Sequence, residues 1–294
     1  MHKPIPYFSQ NTLDRLDSKR DDIAEFERLK KSDVAKFLLC DGAEIFLDAN
    51  KDCFFPKSIL KAFDKKSLVL LGVDGETPYF ALHVKEDIPN TTKINLRDIA
   101  NENLIPEEKL GILAQGVSVL NWHDSHMFCS CCGAKTIMAH SGWRRDCLTC
   151  KKEHFPRTDP VVIMLVTHGE YCLLGRGVNF APSRYSCLAG YMESGESIED
   201  GARRELFEEA GVRGGEVNYI ASQPWPFPTT LMIGLHVKAL GRELNIDTNE
   251  IAEARWIHKE DIKKILAGDE SFGISTPRPL AIARNLLEWW VALT

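Results

Sequence analysis

The 294-residue chain has no apolar run approaching the ~18 residues that a bilayer-crossing helix requires, so no membrane partner is expected. Its opening stretch, MHKPIPYFSQNTLDRLD, lacks the apolar core of a secretory signal, and its final WWVALT matches no retention or peroxisomal tail. An excess of basic charge is also missing. The 36 Lys and Arg stand against 42 Asp and Glu, and the net charge of −6 argues against a protein that coats nucleic acid by bulk attraction. There is no internal repeat, which sets solenoids aside, and no low-complexity tract. A G-x-x-x-x-G-K-[ST] phosphate loop is absent, so any phosphate must be held by other means. Cysteine occurs nine times, an odd count that fits a reducing compartment better than a secreted disulfide framework, and cytoplasm is the expected location. What remains, 44% hydrophobic and 27% charged residues, is the composition of a folded chain long enough for roughly two domains.

Three regions separate along the sequence. Residues 1–125 read as an α/β domain without any pattern that suggests chemistry. DDIAEFERLKKSDVAKF is charged and helix-compatible in part, and KSLVLLGVDGETPYFALHV reads as two strands joined at DGE. PEEKLGILAQGVSVLNWHDSH places apolar residues at 110, 113, 117 and 120, the spacing of an amphipathic helix that begins near Pro106. Residues 126–156 hold a cysteine cluster. From 157 to 294, PVVIMLVTHGEYCLLGRG resumes β-type runs around an HGE turn, and a glutamate-rich helix follows.

Within FCSCCGA and DCLTCKK, Cys129/Cys132 and Cys147/Cys150 form two C-x-x-C knuckles separated by fourteen residues. Thiolates at that spacing can close a tetrahedral Zn²⁺ site of the zinc-ribbon kind, with a structural role because four sulfurs leave no open position. Cys131 could replace a ligand in the first knuckle, but Cys129 and Cys132 keep the two-residue gap and leave Gly133 for the turn. A redox pair, or four reduced thiols without metal, are the alternatives. Cys40, Cys53, Cys172 and Cys187 read as buried small hydrophobes.

The second cluster is GYMESGESIEDGARRELFEEAGV, residues 190–212. Gly190 and Gly195 mark a loop, Ser197 with Asp200 resembles an N-terminal cap, and Gly211 is placed to stop the helix. Ala202, Leu206 and Ala210 step by four along an inward face. Glu205, Glu208 and Glu209 then share the adjoining side, with Cβ atoms about 5–6 Å apart. Each ionised pair repels by roughly 3 kcal/mol at an effective dielectric near 20. A solvated acidic face is the bland reading, yet such faces usually interleave opposite charges, whereas Glu205 and Glu209 are like-charged i, i+4 partners. Grouped carboxylate oxygens are what a hard divalent cation takes, and coordination would relieve the repulsion. Further on, SQPWPFPTT at 222–230 is a proline-stiffened loop. Its Trp225 and Phe227 suit either stacking on a base or simple packing.

The 190–212 stretch resembles the Nudix box, G-x5-E-x7-R-E-U-x-E-E-x-G-U with U aliphatic, at Gly190, Glu196, Arg204, Glu205, Leu206, Glu208, Glu209, Gly211 and Val212. The resemblance implies a mixed α+β chain: a Nudix α/β/α sandwich with an N-terminal α/β domain and an intervening zinc ribbon. It also implies hydrolysis of a nucleoside diphosphate linked to another group, with Mg²⁺ or Mn²⁺ at Glu205 and Glu209. Glu208 would serve as ligand or water-orienting base, and Glu196 would pair with Arg204. SQPWPFPTT is similar to the S-Q-P-W-P-F-P-x-S signature of the NADH pyrophosphatase branch, with Thr230 for the final serine, and that branch also carries a four-cysteine ribbon before its Nudix domain. Carried over, Gln223, Pro224, Trp225, Pro226, Phe227, Pro228, Thr229 and Thr230 line a dinucleotide pocket. Phe155 and Tyr191 sandwich the nicotinamide, one ring coming from the second subunit of a homodimer. Glu250 and the Ala189 carbonyl join the metal site, and Ala283 falls at a substrate contact. Two positions depart from bacterial members: Phe155 replaces a tyrosine, and Gly142 replaces a glutamate that contacts substrate.

The expected activity is cleavage of NADH, and less efficiently NAD⁺, to nicotinamide mononucleotide and AMP. Removal of the NAD cap from RNA 5′ ends is expected of the same pocket. A broader nucleotide pyrophosphatase acting on ADP-ribose or dinucleoside polyphosphates is an alternative, and a non-catalytic nucleotide sensor is another.

Overall fold

The computed structural model describes residues 3–63 and 68–293. By internal contacts the chain forms two compact units, Gln10–Thr158 with Trp225–Thr229, and Met1–Ser9 with Asp159–Pro224 and Thr230–Thr294. Two short segments thus cross the sequence order.

In the first unit, α1 (Ile23–Lys31) starts at Asp22, whose side chain accepts the Glu25 N–H. Strands β1 (Lys36–Asp41), β2 (Glu44–Asp48), β3 (Phe54–Pro56), β4 (Val69–Asp74), β5 (Thr77–His83) and β6 (Thr91–Asn95) form one sheet in the order β4-β5-β1-β2-β6, with β3 also on β1. The expected DGE hairpin is β4–β5, closed at Asp74 and Thr77. The β1–β5 pairing is parallel. Helices α2 (Leu96–Asn101) and α3 (Glu107–Ser125) follow.

The sequence read α3 as amphipathic, and here the structure differs. Leu110–Val117 is buried on every side of the helix, including Gln115, which donates from Nε2 to the Leu71 carbonyl at 2.8 Å. Chain residues 10 and 11 cover the face expected to meet water. The Asn11 amide donates to the Gly111 carbonyl at 3.2 Å, and any Cβ on Gly111 would lie 2.1 Å from the Gln10 carbonyl oxygen.

The ribbon strands β7 (Thr136–Ala139), β8 (Arg144–Cys147) and β9 (Glu153–His154) form a small antiparallel sheet. A buried polar network joins them to α3. Arg145 donates to Thr136 Oγ1 at 2.7 Å and to the Thr136 carbonyl at 3.0 Å, and its Nη1 lies 3.0 Å from His123 Nδ1. Guanidinium can only donate, so Nδ1 accepts and Nε2 carries the proton that it gives to the Gly142 carbonyl at 2.7 Å. His123 is therefore neutral. Gly142 has φ +96°, and a Cβ there would lie 2.8 Å from both Val69 methyls. The glutamate of bacterial members could not occupy this position without moving the backbone.

The second unit is an α/β/α sandwich. Strands β10 (Asp159–His168), β11 (Tyr171–Gly177), β12 (Leu188–Tyr191), β13 (Gly214–Trp225), β14 (Thr230–Ala239) and β15 (Ile251–His258) run in the order β13-β14-β10-β11-β15, with β12 also on β10. The expected HGE turn joins β10 to β11, pairing His168 with Tyr171. Strand side chains alternate faces. Val162, Met164 and Val166 accordingly pack with Ala202, Leu206 and Ala210 of α4 (Ile198–Ala210). Ile163 and Leu165 pack on the other face with Ile262 of α5 (Lys259–Leu266) and Leu286 and Trp290 of α6 (Ile282–Val291). Burial on both faces explains the unbroken apolar run of β10.

Burial pushes the His123 pKa down to about 4, with the Arg145 charge acting in the same direction. Unfolded histidine titrates near 6.5. Between those values the unfolded chain binds more protons, so stability is lost as pH falls from about 6.5 towards 4. In parallel melts, His123→Gln should show a shallower loss of melting temperature over that window than wild type.

Candidate active site and metal centre

Helix α4 begins as its sequence dictates. Ser197 Oγ accepts the Asp200 N–H at 3.1 Å and donates to the Asp200 carboxylate at 2.8 Å. Gly211 stops the helix at φ +71°, with its N–H on the Phe207 carbonyl. The N–H groups of Asn245 and Asp247 then bond the Ala210 and Glu209 carbonyls at 2.9 and 3.1 Å. These bonds seat the turn that carries Glu250 on the end of α4.

Arg204 organises the box. Its guanidinium binds both oxygens of Glu196, donates to the Tyr191 carbonyl at 2.9 Å, and lies 2.8 Å from both Glu205 Oε1 and Glu208 Oε2. The expected Glu196–Arg204 pair is present, and Arg204 holds the Glu196 carboxyl down to about pKa 2. The Arg204–Glu208 pair at i, i+4 is a charge complement that the sequence reading overlooked.

Glu208 faces solvent, whereas Glu205 and Glu209 are buried. Gly190 explains how Glu205 gets there: a Cβ at Gly190 would lie 1.9 Å from Glu205 Oε2, so the carboxylate occupies the space left by the missing side chain. Burial raises the Glu205 pKa against the opposing pull of Arg204. Glu209 rises to about 8, chiefly through burial and then through the negative charges of Glu205 and Glu250, despite a backbone hydrogen bond at Ala189. Its Oε2 is buried without a protein hydrogen-bond partner. Such an atom is costly unless something else satisfies it. A divalent cation would do so, and an oxygen-rich set of Glu205, Glu209, Glu250 and the Ala189 carbonyl has the chemistry that hard cations take. Among the described residues, the glutamate oxygens are not drawn within 4.8 Å of one another as a set of three or more.

The cysteines are. Sγ atoms of Cys129, Cys132, Cys147 and Cys150 all lie within 4.8 Å, with 3.5 Å between Cys129 and Cys150 and between Cys132 and Cys147. Cys131 is exposed and outside the set. The two knuckles repeat one turn. Residues Gly133 and Lys151 have φ of +73° and +61°, and each sends its N–H to the carbonyl of the first cysteine at 2.9 Å. Four sulfurs at such spacing fit tetrahedral Zn²⁺. Cys40, Cys53, Cys172 and Cys187 are buried, as expected.

The substrate-loop residues divide. Phe155 and Tyr191 expose 59% and 62% of their surface, which leaves ring faces free. Trp225 and Phe227 meet edge to face at 5.2 Å. Pro224 and Thr229 are half-buried, Pro226 and Thr230 buried, and Pro228 exposed. Gln223 is completely buried: Nε2 donates to the Tyr7 and Leu280 carbonyls at 3.2 and 2.8 Å, and Oε1 accepts the Ile282 N–H at 2.9 Å. With its amide so occupied, Gln223 ties residues 7, 280 and 282 together. Ala283 is likewise buried, in the core against α6 neighbours.

Family models match in three adjoining pieces: the NADH pyrophosphatase-like rudimentary NUDIX domain at 34–122, the NADH pyrophosphatase zinc ribbon domain at 124–155, and the NUDIX domain at 156–274. The NAD-capped RNA hydrolase NUDT12 of Homo sapiens is 34% identical over 98% of this chain and 73% of its own length. The chain belongs to the Nudix family, in its NADH pyrophosphatase branch. Other Nudix relatives include the NAD-capped RNA hydrolase NudC of Stutzerimonas stutzeri (strain A1501), 36% identical over 84% of this chain and 86% of its own. Nudix hydrolase 19, chloroplastic, of Arabidopsis thaliana is 37% identical over 69% and 52%. The ribbon match and the converging sulfurs together make the cysteine cluster a structural zinc site, and the Nudix assignment carries a divalent metal. The rudimentary Nudix domain had no motif by which the sequence could have declared it.

Two outcomes follow from this geometry. Elemental analysis should find one tightly held zinc per chain, and Cys129→Ser should lower the melting temperature, since structural zinc contributes directly to folding. For Glu209, the folded pKa lies above the unfolded value near 4.3. Metal-free wild type therefore loses stability as pH rises from about 4.3 through about 8. Glu209→Gln should lack that loss and melt at or above wild type at pH 8, as read by calorimetry in chelator.

Proposed function

We propose that this Nudix hydrolase splits the pyrophosphate of NADH, and less efficiently NAD⁺, into nicotinamide mononucleotide and AMP. We propose also that it removes the NAD cap from RNA, leaving a 5′-monophosphate end. The observation that carries the reading is the unpartnered, buried Glu209 oxygen beside Glu205 on an intact box helix, in a chain that aligns over 98% of its length with a NAD-capped RNA hydrolase. Glu205, Glu209, Glu250 and the Ala189 carbonyl would hold Mg²⁺ or Mn²⁺. Bound there, the cation supplies charge neutralisation at the pyrophosphate and an acidified water.

The chain's own groups do the rest. Glu208 is exposed and can take a proton from the attacking water or complete the metal shell. Arg204 pairs with Glu205 and Glu208 and, through Glu196 and the Tyr191 carbonyl, holds the loop 191–196 against α4. Tyr191 and Phe155 offer open ring faces for the nicotinamide, with one ring supplied by the second copy of a homodimer. The phenylalanine at 155 keeps the stack and gives up only a hydroxyl. By resemblance, Gln223 to Thr230 and Ala283 are the further positions assigned to substrate. Among the described residues no helix is long and apolar enough to cross a membrane. The odd count of nine cysteines supports a reducing, cytoplasmic setting.

Chromatographic product analysis on NADH, NAD⁺, ADP-ribose and NAD-capped RNA tests the reading. NADH should yield nicotinamide mononucleotide and AMP in equal amounts, faster than NAD⁺, with ADP-ribose slower than both. Glu209→Gln should keep its fold and lose turnover by about 10²-fold or more, which corresponds to roughly 2.7 kcal/mol of transition-state stabilisation. Normal cleavage by that variant would reduce the cluster to a solvated acidic face.

A further inference from the structure

Arg97 has no evident reason to stand where it does. It occupies the first turn of α2, where a cation gains nothing from the peptide dipoles. Its backbone is fixed, because Asn95 accepts the Arg97 N–H at 3.1 Å and donates its own amide to Glu44 at 2.7 Å. Its side chain is exposed and makes no ion pair among the described residues. What it does contact is aromatic. The guanidinium carbon lies 4.2 Å from the Phe227 ring centroid and 5.3 Å from that of Trp225, and those two rings meet edge to face. An arginine plane over an aromatic face is attracted by the ring quadrupole, and its flat shape matches the ring in a way that lysine cannot.

The geometry points to Arg97 as a positioning residue for the aromatic loop, supplied by the rudimentary Nudix domain. Arg97 covers one face of Phe227 and fixes the angle between Phe227 and Trp225, and with it the shape of the 225–229 loop. The inference rests on the reading of 224–230 as substrate positions and names the group that sets the loop's shape. The guanidinium touches the rings and is given no part in bond cleavage. Loss of Arg97 should therefore weaken capture of substrate and leave the chemical step alone.

Steady-state kinetics on NADH with the full-length, metal-loaded protein provide the test. Arg97→Ala should raise KM by about three- to tenfold, the range of one cation–π contact, with kcat within about twofold. Arg97→Lys keeps the charge and loses the plane, so it should resemble Arg97→Ala. A double-mutant cycle with Phe227→Leu adds a readout that a merely structural role would not move. If Arg97 acts through that ring, the double variant should be little worse than Phe227→Leu alone. An unchanged KM, a fall in kcat at constant KM, or strictly additive effects would each overturn the proposal. Wild type measured alongside separates the two readings. Failure of wild type to cleave NADH removes the proposed function, whereas normal wild-type turnover with an unaltered Arg97→Ala removes only the role of Arg97.

Discussion

Two carboxylates buried next to each other at one end of α4 are the constraint around which the second unit is built. Glu205 and Glu209 cannot both ionise cheaply in a site shielded from water, and the high pKa of Glu209 records that conflict. The fold accommodates them through specific neighbours. Gly190 leaves room for one carboxylate, Arg204 neutralises it, and the Asn245–Asp247 backbone fixes the helix end that bears the other. Without a cation the arrangement is a defect, with an acceptor oxygen facing nothing. With one it would become a preorganised anion-neutralising centre.

The first unit solves a different problem. A 31-residue ribbon has too little apolar surface to fold by burial alone, so zinc closes one end and a buried polar network ties the other to α3. The network has a single consistent proton assignment: arginine donates to histidine, and histidine donates to the Gly142 carbonyl. Gly142 thereby becomes an anchoring position. Its backbone packs against Val69, where a side chain has no room.

Legibility in the sequence followed how local each determinant was. The box, the two knuckles and both hairpins depend on residues within about twenty positions of one another, and each was readable from spacing. The sandwich was reached through resemblance, and the unbroken run of β10 agreed with it. Apart from the β4–β5 hairpin, the first hundred residues were opaque because their sheet is assembled by distant pairings, among them the parallel β1–β5 contact, that no short motif announces. The periodicity of α3 misled for the same reason, since residues 10 and 11 cover its outer face from a hundred positions away. Burial of Gln223 and Ala283 was equally hidden: a family signature marks residues that matter to a pocket without saying whether they touch its contents or support it from behind. Arg97 lay in the region judged silent, and only its approach to Phe227 distinguishes it from any other surface arginine.

The amide of Gln223 reaches three separate parts of the chain, at Tyr7, Leu280 and Ile282, while Lys3 lies over the Tyr219 ring and bonds its carbonyl. The second unit is therefore discontinuous, and residues 3–9 reach it from far along the chain. A recombination event that transplanted only the segment after residue 157 would carry the whole box and leave a buried amide hydrogen of Gln223 without its Tyr7 acceptor. Its fold therefore depends on residues far from the helix that carries the box.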